Sequence, residues 1–250
     1  MNIKNRILTV AISIFLLSSC ATKYAVVKSD REEYKINSDV AVDSTIIKTY
    51  LPYKAKLDAE MNEVIGETEV VLSKSSSLPE SVLGNFFSDA VFNQVKKLEP
   101  KVDFVFPTTK GGLRNDIAKG PIKVSSVFEL MPFENQLVMF NLKGSDVLKI
   151  VNYIAASGGQ PVSGLTFNIK DKLAENILIN GKEFDVDANY WVVASDYIAS
   201  GGDDATGFAS PISRKNIGLL VRDALLNEVK EFKAAGKSIN TKLDGRITKN

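Results

Sequence analysis

Apolar positions along the chain fall into short runs and helical stripes, separated by polar breaks that glycine or proline often marks. Residues 7–17 form a largely apolar run of 11 residues, too short to span a bilayer as a helix. In 40–56 the spacing of Ile46, Ile47, Tyr50 and Leu51 predicts a helix, with Pro52 breaking or kinking it. Residues 63–72 read as a strand, whose alternation from Glu67 onward suits a sheet with one wet face. An amphipathic helix is predicted over 80–98, with Phe86, Phe87, Ala90, Val91 and Val95 as its apolar stripe and Lys96 and Lys97 in its last turn. Strands follow at 102–106 and 136–142. A second helix spans 144–156, its inner face Val147, Ile150, Val151 and Ile154, closed by Gly158-Gly159. Segments 163–169 and 177–184 read as paired strands, and Asn180-Gly181 is the strongest hairpin signal in the chain. The apolar run 190–194 predicts a buried strand, 216–234 one long final helix, and 242–248 a last strand. Together these elements predict an α+β fold built on mixed sheets.

Composition narrows the chemistry. The chain has 250 residues, 44% hydrophobic and 24% charged, enough to bury a substantial core. A formal net charge of +1 gives no footprint for nucleic acid. There is no histidine, which excludes histidine metal sites, Ser-His-Asp triads and histidine general bases. Cys20 is the only cysteine, so no intramolecular disulfide can form.

The start of the chain reads as a targeting segment. Lys4 and Arg6 precede the apolar run, which ends in Leu17-Ser18-Ser19-Cys20. This resembles a bacterial lipobox, implying a signal peptide over 1–19 and lipidation of Cys20, with a plain secretory signal as the alternative. Loss of Lys4 and Arg6 would lower the formal charge of +1 by two, to −1. A lipid on Cys20, rather than protein charge, would then hold the chain to a membrane of the cell envelope. Residues 20–37 are polar and read as a tether, with an added edge strand at 24–27 as the alternative. The folded domain is expected over 38–250.

Three loops carry candidate chemistry. In the first, Gly111-Gly112 follows a strand, and Arg114 stands two residues on, where a guanidinium could hold a carboxylate or phosphate with paired hydrogen bonds. The second is Pro132-Phe133-Glu134-Asn135, where Phe133 could pack into the core or be offered as a stacking surface. The third is Tyr197 followed by Gly201-Gly202-Asp203-Asp204, which taken alone reads equally as a solvated surface turn.

Read together, these segments resemble the C-terminal domain of 5′-nucleotidases of the UDP-sugar hydrolase and ecto-5′-nucleotidase type. The match runs through residues 63–68, Leu83-Gly84-Asn85 with Asp89-Ala90, Gly111-Gly112-Leu113-Arg114, Pro132-Phe133 with Asn135, the 197–203 stretch and Asp244-Gly245-Arg246-Ile247. Each motif is weak alone, but six in order over roughly 40–248 are specific. The resemblance implies that Phe133 and Tyr197 sandwich a nucleobase and Asn135 bonds its edge. It implies that Arg114 holds the ribose or phosphate end and that Asp203 accepts from ribose hydroxyls. Two departures stand out. Residues 76–80 carry no arginine where the family usually has one, and Thr109 stands where the family has asparagine. Base stacking is thus implied more fully than phosphate holding.

In full-length members hydrolysis occurs on a separate domain whose two metals are held by Asp, Asn and His. The reading is therefore the nucleotide-recognising half of a 5′-nucleotidase, inactive alone, acting with a separate metallophosphoesterase chain that carries the divalent metals. A lipid-anchored nucleoside-binding or structural lipoprotein without catalysis is the alternative.

Overall fold

The structure is a computed structural model that describes Ile3, residues 24–37 and residues 40–249. The proposed signal segment, Cys20 and the expected domain start at Ser38 lie outside the described residues. The chain divides into two units, 1–49 and 50–250. In the first, residues 24–37 carry no helix or strand.

Helix α1 (Ser44–Met61) crosses the boundary between the units in sequence and buries no residue. Pro52 sits inside it, so the expected break does not occur. Proline removes one ladder hydrogen bond, and the helix continues on both sides of it.

The second unit is organised on a four-stranded mixed sheet in the order β2-β8-β4-β9. Its strands are β2 (Phe104–Phe106), β4 (Gln136–Lys143), β8 (Asn189–Ser195) and β9 (Ser213–Leu220). β2 runs parallel to β8, and β4 runs antiparallel to both β8 and β9. Alternation splits the sheet's side chains between two cores. Val105, Leu137, Met139 and Val193 pack to one side, with helices α2 (Val82–Leu98) and α6 (Val221–Ala234). Phe104, Phe106, Val138, Phe140, Val192 and Ala194 pack to the other, with α4 (Gly144–Ala156). Register enforces this division: Val192 faces Phe104 and Phe140, and Val193 faces Val105 and Met139. A sheet covered on both faces needs continuous apolar runs, which is why 190–194 shows no alternation.

Two smaller sheets complete the unit. β1 (Val64–Thr68) pairs antiparallel with β3 (Gly120–Lys123). A Cβ at Gly66 would stand 2.5 Å from Val229 Cγ1, so this glycine lets β1 lie against α6. The second sheet has the order β10-β5-β6-β7, from β5 (Leu165–Lys170), β6 (Leu173–Ile179), β7 (Lys182–Glu183) and β10 (Ile247–Lys249). The end of α4 follows the glycine signal: Gly158 N–H donates to Ala155 O at 3.0 Å and Gly159 N–H to Ile154 O at 2.9 Å, a Schellman cap.

Three expectations need correction. Residues 216–234 are not one helix; β9 occupies their first part, and α6 begins at Val221. Gly218, with φ 75°, cannot continue an α-helix, and the pairing of β9 with β4 captures the segment as strand. The strand expected at 63–72 ends at Thr68, leaving only an isolated bridge between Leu72 and Ile117. The strand expected at 177–184 is interrupted by the Asn180-Gly181 turn, which forms a hairpin as its sequence indicates and joins β6 to the two-residue β7, whereas β5 and β6 meet at Asp171-Lys172, both with positive φ. A lysine in a left-handed turn position gives almost no sequence signal.

Candidate functional site

Sheet direction brings the three loops together. β2 and β8 are parallel, so the loops leaving Phe106 and Ser195 emerge at one end of the sheet. β4 is antiparallel to β8, and Leu137 pairs with Ser195, so the loop entering β4 starts at that same end. The three loops enclose a cavity of about 580 Å3, lined by Gly111, Gly112, Arg114, Phe133, Glu134, Asn135, Tyr197 and Asp203 together with Thr108. That volume lies within the usual range for small-ligand sites. All five residues singled out in the sequence border this one cavity.

The first loop turns through a 3₁₀ segment (Lys110–Gly112), closed by Gly112 N–H donating to Thr109 O at 3.0 Å. A Cβ at Gly112 would stand 2.0 Å from Thr108 Oγ1, so only glycine fits. Leu113 is fully buried, and Arg114 N–H donates to Leu130 O at 2.9 Å. Lys74 Nζ donates to the carbonyls of Leu113 and Arg114 at 2.9 and 3.0 Å. The Arg114 backbone is thus fixed while its side chain is exposed. The guanidinium lies 6.0 Å from the Phe133 ring centroid and donates to Gly111 O at 3.3 Å. Lys110, the other cation of this loop, sends Nζ to Gly158 O at 3.3 Å, and burial lowers its amine below the ordinary value.

Phe133 and Tyr197 are offered to solvent rather than to the core, with 41% and 48% of their surfaces exposed. Their loops are joined by Asp196. Its Oδ1 accepts from Asn135 Nδ2 at 3.0 Å, Gln136 N–H at 3.2 Å and Tyr197 N–H at 2.8 Å. With its Nδ2 engaged, Asn135 presents its amide oxygen as the remaining acceptor. Tyr197 lies in the first turn of the short helix α5 (Asp196–Ala199), whose N-cap is Ser195; Ser195 Oγ accepts from Ile198 N–H at 3.3 Å.

The third loop is held by its own acids. Gly201 has φ 89°, and Asp203 and Asp204 follow in the left-handed region, which aspartate tolerates better than most residues. The Asp203 carboxylate accepts from the Tyr197 hydroxyl at 2.9 Å and from the Thr109 hydroxyl. Its carbonyl accepts from the Tyr153 hydroxyl at 2.6 Å. The hydrogen bond to Asp203, with that carboxylate's charge, raises the Tyr197 phenol above its ordinary value of 10.0, so it remains a donor at neutral pH. Each carboxylate oxygen accepts one protein hydrogen bond and has a lone pair left for a ligand hydroxyl.

Sequence reasoning passed over Asp196, Glu134 and Thr108, and treated Thr109 only as a departure from a pattern. Thr109 supplies a hydroxyl to Asp203, a contact between residues 94 apart that no local pattern announces. The chain has no histidine, and among the described residues no group of three or more His, Cys, Asp or Glu could hold a metal ion.

The motifs remote from the cavity form a separate buried tie. Arg246 Nη1 and Nη2 bond both Asp89 oxygens at 2.7 and 2.9 Å, while Nε and Nη2 bond Asp244 at 2.9 and 2.7 Å. Nη1 also donates to Val162 O at 2.8 Å. Glu80 accepts from Asn85 Nδ2 and Gly245 N–H, both at 2.8 Å. This network fastens the last strand to α2 and takes no part in lining the cavity.

Comparison with known proteins agrees with this architecture. Residues 64–210 match the family model described as 5′-nucleotidase, C-terminal domain. A cell wall protein of Listeria monocytogenes is 28% identical over 221 residues, covering 77% of this chain and 28% of the relative. A trifunctional nucleotide phosphoesterase protein of Bacillus subtilis is 27% identical over 214 residues, covering 78% of this chain and 14% of the relative. Among solved structures, a 5′-nucleotidase precursor from Thermus thermophilus superposes with TM-score 0.67 at 27% identity, over 84% of this chain and 44% of that one. The chain therefore spans less than half the length of each of these relatives. The matched segment begins at β1 and takes in all three cavity loops, and on it rests the assignment: the chain belongs to the 5′-nucleotidase C-terminal domain family.

Proposed function

We propose that this chain recognises nucleotides and serves as the substrate-binding half of a 5′-nucleotidase, with hydrolysis carried out by a separate metallophosphoesterase chain. The observation that carries this reading is the pair of exposed rings, Phe133 and Tyr197, bordering one cavity from two loops tied by Asp196. Exposed rings on one cavity offer faces on which a planar base can stack, and stacking accepts any base. Asn135 bonds the base edge, Asp203 accepts from ribose hydroxyls, and Arg114 faces the anionic end. These groups supply binding, and binding alone does not accelerate chemistry. Activating water and stabilising the leaving oxygen fall to divalent metals on the partner.

Export follows on the same reading. The leader, lipidation at Cys20 and anchoring to the cell envelope are proposed from the sequence, and a relative named as a cell wall protein is in keeping with them.

The test is reconstitution. Adding the full chain to a metallophosphoesterase chain from the same organism should raise AMP hydrolysis above that of the partner alone; no increase with any such partner overturns the two-chain arrangement. Gly202 gives a finer check on the slot. A Cβ there would stand 2.5 Å from the Tyr197 ring, so Gly202→Ala must displace that ring. AMP affinity measured by calorimetry should drop several-fold, roughly the share of one stacking face. An unchanged affinity would place the base elsewhere.

A further inference from the structure

The loop bearing Phe133 is held from behind by a side chain outside the cavity. Arg222, in the first turn of α6, is only 7% exposed. Its guanidinium carbon lies 4.2 Å from the centroid of the Phe128 ring, on the short helix α3 (Val124–Leu130) that leads into the loop. Nη1 donates to the carbonyl oxygen of Phe133 itself at 3.3 Å, and Nη2 reaches Glu134 Oε1 at 3.5 Å. Next to it, Val221 N–H donates to Asn135 O at 2.9 Å. The start of α6 thus grips three consecutive loop residues.

A buried guanidinium is costly unless its donors are satisfied, and here Nε has no partner among the described residues. Glu134, with its side chain 81% exposed, is a weak counter-charge. Ion pairing alone therefore does not account for the placement of Arg222. Two features do: the planar fork stacks on a ring and at the same time reaches a main-chain carbonyl, which a lysine ammonium cannot reproduce.

We infer that Arg222 is a positioning residue that sets the orientation of the Phe133 ring, and through it the affinity of the cavity for base-bearing ligands. This rests on the nucleotide-binding reading for its consequence, but not for its geometry.

The experiment uses the full chain carrying para-fluorophenylalanine at position 133, observed by fluorine NMR without ligand. Arg222→Met should shift or broaden the resonance of the ring, and Arg222→Lys should restore it only in part. Should the methionine variant fail to fold, Arg222→Gln replaces it. A resonance unchanged in the variants overturns the inference. Titration with AMP and with ribose 5-phosphate, which has no base, gives the second reading. Arg222→Met should weaken AMP on the order of tenfold, within the contribution of one stacked base, and leave ribose 5-phosphate unaltered. Equal loss for both ligands, or loss for neither, contradicts it. If the parent chain binds neither ligand, the nucleotide reading fails, while the fluorine resonance still decides whether Arg222 orients Phe133.

Discussion

Replacing Phe133 by alanine should weaken AMP and adenosine binding by about 1–3 kcal/mol, roughly five- to 150-fold, with little change in melting temperature. The two expectations separate because of where the ring sits. It is 41% exposed at the mouth of a cavity, whereas the core phenylalanines Phe87, Phe104 and Phe106 are fully buried. Truncating one of those would cost about 3–5 kcal/mol of stability. At Phe133 the backbone is retained through Arg222 and through Asn135 with its tie to Asp196, so the loop keeps its course without the ring. Side-by-side calorimetry and thermal denaturation of parent and variant check both halves. A variant that loses stability but retains affinity would return Phe133 to the role of packing residue.

The second large effect concerns stability. Arg246→Ala should destabilise the domain by about 2–4 kcal/mol, because it removes charge-assisted hydrogen bonds to two half-exposed carboxylates and leaves the buried Val162 carbonyl without its donor. For a domain of this size that corresponds to a fall in melting temperature of roughly 4–16 °C. Arg246 is only 9% exposed and bonds Asp89, Asp244 and Val162 O at once. Arg246→Lys should recover little, since a point charge cannot reproduce two forked contacts. The network also dictates a pH dependence. Hydrogen bonds from Arg246 hold the Asp244 carboxyl below its ordinary value of 3.8. A carboxyl whose pKa is lower folded than unfolded stabilises the fold above the unfolded value. That contribution disappears as pH falls through the folded value. The stability gap between parent and Arg246→Ala should accordingly be full at neutral pH and narrow on acidification below 3.8. Denaturant titrations across that window read it directly, and a gap that widens on acidification would contradict the account.

The two predictions divide the family motifs by task. Gly111, Gly112, Arg114, Phe133, Asn135, Tyr197 and Asp203 border the cavity. Asn85, Asp89 and Asp244 to Arg246, with Glu80, fasten the end of the chain. In the sequence the two sets look alike, since each is a short polar signature near a glycine. Only the fold separates them, because Arg246 meets Asp89 across 157 positions.

Other features were legible for physical reasons. The strands β4 and β8 lie between two cores, and their continuous apolar runs stated as much. Helix α4 runs Gly144–Ala156 as its periodicity and terminal glycines required. Where pairing overrode local preference, the sequence misled. Residues 216–220 carry a helical continuation in Leu219 and Leu220, yet β4 offers ladder partners and Gly218 takes a positive φ. Convergence of the cavity residues followed from strand direction, which no local motif encodes. Asp196 escaped notice because its work, joining two loops 60 residues apart, consists of contacts to an amide and two backbone N–H groups. Arg222 escaped for a related reason, since it lies in a segment that reads as ordinary amphipathic helix.

The central claim is that the cavity between the three loops takes a nucleoside or nucleotide. It is met most directly by calorimetric titration of the full chain with AMP and with adenosine. The account predicts saturable one-to-one binding of both, with AMP the tighter through the proposed contact of Arg114 with its anionic end. Absence of binding by either ligand would contradict it.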